Sequence, residues 1–287
     1  KNVVEVVWAG LKKLEYRGYD SWGIAAADTD LQYIKNTGEV GKISADSLTT
    51  LGENPDTAIG HTRWAINGGV TDYNAHPHIS NNSRFALVHN GIVENYLDIK
   101  SQLQSQGYAF TSDTDSEVVV NLIEFLSGSM SVKEAVQEAF KQIEGRNAIV
   151  LLDKETKQIW AARFGSPLII GIGKDEFFIA SDVPAFLEHT REVNYLDDNQ
   201  MVQINSKLTY FDILTGEEIE RRTVTIDWSA DQAEKGDYPH FMIKEIMEQK
   251  DTIRRAIEQD MSDLNKAAHI IQNSKKIFLI GCGTAYH

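Results

Sequence analysis

The chain has 287 residues, of which 42% are hydrophobic and 24% are charged, and its formal net charge at pH 7 is -14. These fractions are typical of a globular protein, and the length suits one large domain and part of a second. The negative charge argues against nucleic acids and anionic membranes as partners, because both attract clustered lysine and arginine. No apolar run approaches the roughly 20 residues that span a bilayer. The single cysteine, Cys282, excludes an internal disulfide, so we expect a soluble protein of the reducing cytoplasm.

The first part of the chain combines one helical pattern with several short strand patterns. Apolar residues recur at helical spacing from Val3 to Tyr16, which predicts an amphipathic helix. Glycine and aspartate then separate short apolar runs, which predict strands at residues 23–27, 31–35, 58–61 and 85–89.

Two helices are predicted in the middle of the chain, each from a capping box in which serine or threonine is followed three residues later by glutamate. Thr114 with Glu117 predicts a helix that starts at Asp115, and Ser131 with Glu134 predicts a second helix. The pattern then changes to short runs rich in β-branched and aromatic residues, which predict antiparallel strands. Strands, helices and further strands in this order predict sheets that are covered by helices on their outer faces.

The last sixty or so residues are charged and mostly helical, a composition that is typical of a connector. A further helix is predicted at about Leu264–Gln272. The apolar run Ile277–Ile280 predicts a buried strand that leads into the glycine-containing turn "GCGT". A strand followed by a glycine-rich turn is how a doubly wound α/β domain begins.

The stretch "HTRWAINGGVTDYNAHPH", residues 61–78, contains three histidines and so raises the question of a metal site. Zinc needs three or four ligands that converge on one point. His76 and His78 are one residue apart and would point to opposite faces of an extended segment. No cysteine and no helical histidine–glutamate pair is near them. Histidines that are buried and hydrogen-bonded in a loop are therefore favoured, and we expect no metal.

Four other residues suggest chemistry on an amino acid. Arg63 offers a planar fork that matches a carboxylate, and Asp115 at a predicted helix start could hold an ammonium group, although an arginine by itself is more often in a surface ion pair. Asn90 and Gly91 could direct an amide and a backbone N–H at one point, as an oxyanion hole requires. Asn-Gly is also the strongest signal for a hairpin turn, which these two residues alone favour.

Seven motifs in a fixed order resemble those of the glucosamine-6-phosphate synthase family, the glutamine:fructose-6-phosphate amidotransferases. Each motif is weak alone, but together they cover essentially the whole chain. They are "LEYRGYDS" (14–21), "GHTRWA" (60–65), "NAHPH" (74–78), "HNGIVENY" (89–96), "SDTDSE" (112–117), "KGDYPHFMIKEIMEQ" (235–249) and "GCGTAYH" (281–287).

The resemblance implies an α+β fold: the four-layer αββα sandwich of the N-terminal-nucleophile (Ntn) hydrolases, as a type 2 glutaminase domain over residues 1–230. It implies a helical connector over residues 231–275 and the first strand of an α/β sugar-isomerase (SIS) domain over residues 276–287. In this family a thioester forms on an N-terminal cysteine whose own α-amine is the general base. Ammonia then passes through an internal channel to convert fructose 6-phosphate into glucosamine 6-phosphate, a step of amino-sugar biosynthesis.

The same resemblance implies roles for individual residues. Arg63 would bind the α-carboxylate of L-glutamine and Asp115 its α-ammonium group, while Asn90 and Gly91 would form the oxyanion hole. No cofactor is implied, and the family generally forms homodimers through the isomerase domain. Further implied site residues are His76 beside the glutamine pocket, Trp64 at its border, Arg17 in the loop near the nucleophile, and the incomplete sugar-phosphate site of Cys282, Gly283 and Thr284.

Two departures from the family pattern bear on activity. The nucleophilic cysteine is absent because Lys1 matches a position inside the first helix; we therefore expect a missing leading segment of on the order of ten residues and an inactive chain as written. Ile66 and Asn67 stand where the family has Thr-His, which removes a hydroxyl donor near the glutamine carboxylate. One alternative is a non-catalytic glutamine-binding or regulatory module. Another is a different glutaminase of this fold, such as amidophosphoribosyltransferase or asparagine synthetase, against which the connector and "GCGT" motifs argue.

Overall fold

A computed structural model describes residues 2–42, 45–52, 55–227, 238, 241–258 and 260–278. The chain divides into two compact units, Lys1–Ala230 and Asp231–His287. Among its described residues the first unit has four α-helices and fourteen β-strands, and the second has two α-helices. None of the helices in the described ranges is long and apolar enough to cross a bilayer.

The first unit begins with helix α1 (Val3–Leu14) and the strands β1 (Ser21–Ala27), β2 (Leu31–Thr37), β3 (Thr57–Arg63), β4 (His78–Ile79) and β5 (Phe85–Gly91). Three helices follow: α2 (Tyr96–Ser105), α3 (Ser116–Ser127) and α4 (Val132–Gln142). The remaining strands are β6 (Asn147–Asp153), β7 (Gln158–Phe164), β8 (Ile169–Ile172), β9 (Phe177–Ala180), β10 (Glu192–Tyr195), β11 (Gln200–Ile204), β12 (Leu208–Asp212), β13 (Glu218–Ile219) and β14 (Val224–Thr225).

These strands form three sheets. The three-stranded sheet has the order β2-β1-β3, the four-stranded sheet β14-β10-β8-β9, and the seven-stranded sheet β13-β12-β11-β7-β6-β5-β4. Every pairing among the described strands is antiparallel, which confirms the prediction from the short β-branched runs.

The seven-stranded sheet is buried on both faces, and this sets the order of the layers. In β5, Phe85 and Leu87 pack against helices α2, α3 and α4, whereas Ala86 and Val88 face the other two sheets. Successive side chains of a strand point to opposite faces. A strand that is covered on both sides therefore has a continuous apolar run, such as "AIVLL" at residues 148–152.

The two smaller sheets lie on the second face of the seven-stranded sheet. Ile59 of β3 and Ile170 of β8 belong to the same buried cluster as Val88. On the far side of the three-stranded sheet, Leu11 of α1 packs with Trp22 of β1 in a separate cluster. The layers are thus helices, sheet, sheets and helix, which confirms the predicted αββα sandwich.

One of the two predicted capping boxes is formed. The Ser131 hydroxyl accepts a hydrogen bond from the Glu134 N–H at 3.3 Å, and the Glu134 carboxylate accepts one from the Ser131 N–H at 3.0 Å. Helix α4 starts directly after Ser131, as predicted. Helix α2, by contrast, was not predicted; its few apolar positions give it only a weak helical periodicity.

The other capping box, Thr114 with Glu117, is wrong. Helix α3 begins at Ser116 and its N-cap, Asp115, makes no side-chain capping bond. The Glu117 carboxylate instead accepts hydrogen bonds from the N–H groups of residues 111 and 112, at 2.7 to 3.1 Å. The loop before the helix folds back over the first turn of the helix. The N–H groups of this loop donate to the Glu117 carboxylate, which in a capping box would accept from the N–H group of the N-cap residue.

In the second unit, helices α5 (Phe241–Ile257) and α6 (Met261–Asn273) lie where the sequence predicts helices. The predicted strand Ile277–Ile280 is wrong for its first two residues, because Ile277 and Phe278 are irregular and exposed. A strand requires a neighbour to pair with, and the described residues of this unit provide none. The rest of that strand and the candidate residues Cys282, Gly283 and Thr284 lie outside the described residues.

Candidate active site

A cavity of about 1500 Å³ in the first unit gathers residues that are far apart in the sequence. Strand β3 ends at Arg63, strand β5 ends at Gly91, and helix α3 begins just after Asp115, so the ends of three elements meet there. The candidate residues that line this cavity are Arg17, Arg63, Trp64, His76, Asn90, Gly91 and Asp115.

Arg63 is buried at the end of β3, and the loop that follows wraps around its guanidinium. The guanidinium donates hydrogen bonds to the carbonyl oxygens of residues 67–69 at 2.5 to 3.3 Å. Burial lowers the pKa of Arg63 from its ordinary value, and the carboxylates of Asp115 and Asp20 oppose this shift. An arginine keeps its charge in a protein, so a cation is fixed in the wall of the cavity.

Asp115 supplies the opposite charge. It is buried, and its Oδ2 accepts a hydrogen bond from the Val93 N–H at 2.7 Å. Its other carboxylate oxygen accepts no hydrogen bond from the residues that the structure describes. That oxygen is available for a cationic group of a ligand in the cavity.

Asn90 and Gly91 are the last two residues of β5, paired with Ala148 and Asn147 of β6. The hairpin-turn interpretation is wrong: β5 leads to helix α2, and Asn90 is not among the residues with a positive φ. A Cβ at Gly91 would lie 2.1 Å from the carbonyl oxygen of Arg146, so only glycine fits there. Asn90 is exposed and lines the cavity, where its amide can reach a ligand.

His61, His76 and His78 form a cluster, with ring centroids 4.5 Å apart for the first pair and 4.7 Å for the second. The expectation that His76 and His78 face opposite ways is wrong, because His76 lies in a bend and not in an extended segment. No group of three or more potential ligands with metal-binding geometry occurs among the described residues.

Desolvation keeps these histidines neutral. It lowers the pKa of His61 to about 3 and lowers the pKa values of His76 and His78 as well. His78 Nε2 is 3.0 Å from the Thr114 hydroxyl. Both ring nitrogens of His76 are buried without a hydrogen-bond partner among the described residues, so the predicted hydrogen bonding is wrong for His76. His78 is hydrogen-bonded as predicted, but as the first residue of strand β4 and not in a loop.

Arg17 and Trp64 contribute to the outer part of the cavity. Arg17 forms an ion pair with Asp182 at 3.5 Å. Trp64 is 59% exposed and its ring lies 5.6 Å from that of Tyr19, so it stands at the solvent edge. Ile66, which replaces a hydroxyl-bearing residue of the family pattern, is 67% exposed.

Asn74 does not line the cavity but joins two loops beside it, and the sequence did not single it out by itself. Its amide nitrogen donates to the Gly69 carbonyl at 3.1 Å, and its amide oxygen accepts from the Asp113 N–H at 2.9 Å. It therefore ties the loop after β3 to the loop before α3. The available signal was its place in the "NAHPH" motif.

Away from these residues, the cavity continues as a slot between two sheet edges. Strand β3 is the edge of the three-stranded sheet and β9 is the edge of the four-stranded sheet, and every residue of both strands lines the cavity. Val7 and Leu11 of α1 line the slot, as do Val88 and Val150 of the seven-stranded sheet. The slot thus has strand edges along its sides and apolar walls.

The fold and the site define a class, the glutamine amidotransferases. A family model described as a glutamine amidotransferase domain matches residues 43–215. The chain belongs to this family.

Curated relatives and solved structures agree with this assignment. The glutamine--fructose-6-phosphate aminotransferase (isomerizing) of Clostridium perfringens is 41% identical over 301 residues, which cover 100% of this chain and 48% of that protein. Its counterpart in Methanothermobacter thermautotrophicus is 42% identical over 280 residues, which cover 96% and 47%. The glutamine phosphoribosylpyrophosphate amidotransferase of B. subtilis superposes with a TM-score of 0.64 at 27% identity, over 74% of this chain and 47% of that one. The chain spans about half the length of the curated relatives it matches.

Proposed function

We propose that this chain is the glutamine-hydrolysing part of an enzyme that makes glucosamine 6-phosphate from L-glutamine and fructose 6-phosphate. The observation that carries the proposal is the meeting, in one cavity, of a buried arginine, a buried carboxylate with an available oxygen, and a strand that ends in Asn-Gly. The names of the relatives, which are 41% and 42% identical, support the choice of acceptor.

The two buried charges suit the two ends of an α-amino acid. In this proposal the Arg63 guanidinium binds the α-carboxylate of glutamine, and the free oxygen of Asp115 binds its α-ammonium group. His76 lies beside the bound glutamine as a neutral side chain, and Trp64 borders the site on its solvent side. Arg17 belongs to the wall near the reacting group.

Asn90 and Gly91 supply the oxyanion hole in the proposed reaction. A donor stabilises the developing charge best when it is held in place before the reaction begins. The strand pairing of β5 with β6 supports this role, because it holds the Asn90 backbone in the sheet instead of in a mobile turn.

We also propose that a leading segment of the intact protein fills the slot between β3 and β9 as an extended strand. Val7 and Leu11 of α1 approach Gly60, and Gly18, which follows the helix, approaches Arg63. Helix α1 therefore runs along β3 in the direction of Arg63. A strand that leads into α1 would run the opposite way, and its first residue would lie at the Arg63 end.

A cysteine at that first position completes the reaction. Its thiol sulfur attacks the amide carbon of glutamine, and its α-amine takes the thiol proton and passes it to the leaving nitrogen. Ammonia leaves and a thioester remains, which water hydrolyses to glutamate and free cysteine. During both steps the negative oxygen would be stabilised by the Asn90 amide and the Gly91 N–H.

The remaining features of the intact protein are proposals of the same kind. Fructose 6-phosphate would bind in a SIS domain that begins with residues 276–287 and includes Cys282, Gly283 and Thr284, after the helical connector at 231–275. The protein would act as a homodimer in the cytoplasm. The net charge of -14 supports a partner list without nucleic acid or anionic membranes.

The test is to join a cysteine-led segment of on the order of ten residues to the chain and to measure glutamate release. We expect glutaminase activity with the cysteine and none with alanine in its place. Both versions should unfold at a higher temperature than the chain alone, by about 5 °C or more, because 1 kcal/mol shifts the midpoint by about 2–4 °C for a domain of this size. Stabilisation without activity would contradict the glutaminase assignment, and activity without stabilisation would contradict the slot.

A further inference from the structure

His89, Ser116 and Asn147 form a buried hydrogen-bonded chain at the candidate site, where His89 and Ser116 line the cavity and Asn147 does not. His89 Nδ1 is 2.8 Å from the Ser116 hydroxyl, and His89 Nε2 is 2.9 Å from the Asn147 amide oxygen. The three residues are 3%, 3% and 1% exposed. None of them has a role in the reaction described above, so another reason for this buried polar chain is needed.

The hydrogen bond between His89 and Asn147 supports the proposed oxyanion hole. His89 directly precedes Asn90 in β5, and Asn147 is the cross-strand partner of Gly91 in β6. The Asn147 amide oxygen is also 2.8 Å from the point where a Cβ of Gly91 would lie. The bond between His89 and Asn147 therefore fixes the end of β5 from behind.

The hydrogen bond between His89 and Ser116 supports the proposed ammonium site. Ser116 is the first residue of α3 and directly follows Asp115. Asp115 is itself bonded to the Val93 N–H, at 2.7 Å, in the segment that follows β5. Two hydrogen bonds, one through His89 and one through Asp115, thus join the start of α3 to the end of β5.

The hydrogen-bond partners specify one form of the imidazole. The Asn147 amide nitrogen donates to the Glu144 carbonyl at 3.3 Å, which leaves the amide oxygen facing His89. An amide oxygen only accepts, so His89 Nε2 carries the proton and Nδ1 accepts from the Ser116 hydroxyl. A neutral ring makes both bonds, and burial lowers the pKa of His89 accordingly.

We propose that His89, as the neutral tautomer with a proton on Nε2, is a positioning residue that fixes the oxyanion donors of Asn90 and Gly91 relative to the Asp115 carboxylate. The inference rests on the proposed function, which assigns the two ends their roles. It adds that one side chain, through its two hydrogen bonds, sets the spacing between them.

Two substitutions of His89 separate the two bonds. The amide oxygen of asparagine lies near the position of Nδ1, so His89→Asn keeps an acceptor for Ser116 and loses the bond to Asn147. The amide nitrogen of glutamine lies near the position of Nε2, so His89→Gln keeps a donor to Asn147 and loses the bond to Ser116. The variants are made in the chain with the cysteine-led segment.

We expect a split between kcat and KM. His89→Asn and Asn147→Ala should lower kcat about tenfold with little change in KM, because the oxyanion donors shift by less than the 1 Å that costs roughly 10²-fold. His89→Gln and Ser116→Ala should raise the KM for glutamine about tenfold with little change in kcat. If the His89 variants do not fold, Ser116→Ala and Asn147→Ala carry the same comparison.

Ser80→Ala is the matched control. Ser80 is 3% exposed, its hydroxyl accepts from the Phe85 N–H at 3.0 Å, and it does not line the cavity. This variant should lose stability and leave both constants unchanged. The proposal is overturned if Ser80→Ala reproduces the kinetic changes, or if all variants change kcat and KM in the same proportion.

A direct readout does not depend on catalysis. ¹⁵N spectra of the histidine rings should show His89 with its proton on Nε2 between pH 6 and 8, a range that brackets the usual histidine pKa of about 6.5. A proton on Nδ1 would overturn the proposal. Wild-type chain with the leading segment but without glutaminase activity would instead overturn the proposed function, and the spectra would still decide the tautomer.

Discussion

At the scale of single residues, the charged groups of the site are held in place by the fold before any ligand binds. The Arg63 guanidinium donates to the carbonyl groups of residues 67–69, and the Asp115 carboxylate accepts from the Val93 N–H. Because these bonds fix both side chains, a ligand does not have to order them. Such preorganisation lowers the entropic cost of binding.

Asn90 gives the sharpest prediction at this scale. We expect Asn90→Ala, in the chain with its nucleophile, to lower kcat by roughly 10²–10³, which is the usual cost of removing one oxyanion donor. The KM for glutamine should change little, because the bond strengthens mainly in the transition state. Steady-state kinetics with glutamine as the only substrate measure both constants. A folded variant with nearly full kcat would contradict the role of Asn90.

At the scale of elements, the loop before α3 decides where Asp115 points. The carboxylate of Glu117, in the first turn of the helix, accepts hydrogen bonds from the N–H and hydroxyl groups of residues 111 and 112. Ser112 in turn contacts the Thr114 hydroxyl, which contacts His78. The loop is therefore fixed to α3 through Glu117 and to β4 through His78. Asp115 is the last residue of this loop, directly before α3.

Replacing Glu117 with glutamine tests the loop. Glu117→Gln replaces one carboxylate oxygen, which accepts a hydrogen bond from an N–H group, with an NH2 group that can only donate. We therefore expect a loss of roughly 2–3 kcal/mol in the free energy of unfolding, as for a buried hydrogen bond to a charged group. Urea denaturation measures the loss. Glu124→Gln on the same helix is the control: Glu124 is only half-buried and should lose less than about 1 kcal/mol. Equal losses in the two variants would contradict the role of the loop.

At the scale of the whole first unit, four histidines lie in the wall of the cavity or next to it. His61, His76, His78 and His89 have pKa values lowered by desolvation, in the case of His61 to about 3. In the unfolded chain these histidines titrate near the ordinary histidine pKa of about 6.5. The unfolded state therefore binds more protons than the folded state as soon as the pH falls below that value.

The sign of the pH dependence follows from this difference. The stability that the neutral histidines contribute is complete above about pH 6.5 and is lost as the pH falls toward 3, at up to about 1.4 kcal/mol per pH unit for each histidine. Urea denaturation between pH 7.5 and 5.5 should show the decrease. His89→Asn should make the decrease shallower by about one histidine's contribution. A free energy of unfolding that stays constant or rises on acidification would contradict the prediction.

The sequence by itself determined the local elements and the identity of the candidate site residues. Helical spacing gave α1, the capping box of Ser131 gave α4, and the β-branched runs gave the strands, because each of these depends on neighbours within a few residues. The motif order gave Arg63, Asn90 and Asp115 through resemblance to a family. The continuous apolar run at residues 148–152 also reflected a real property, burial on both faces of a sheet.

Only the tertiary structure decided which strands pair and what the ambiguous residues do. Asn-Gly is a hairpin signal in isolation, but Asn90 and Gly91 lie in a strand because β6, more than fifty positions later in the chain, pairs with them. Glu117 looks like half of a capping box, yet the loop that folds over α3 takes its carboxylate. His89 had no signal beyond its motif, since its partners Ser116 and Asn147 become neighbours only when β5, α3 and β6 pack together. Such contacts join distant residues, and short-range periodicity holds no information about them.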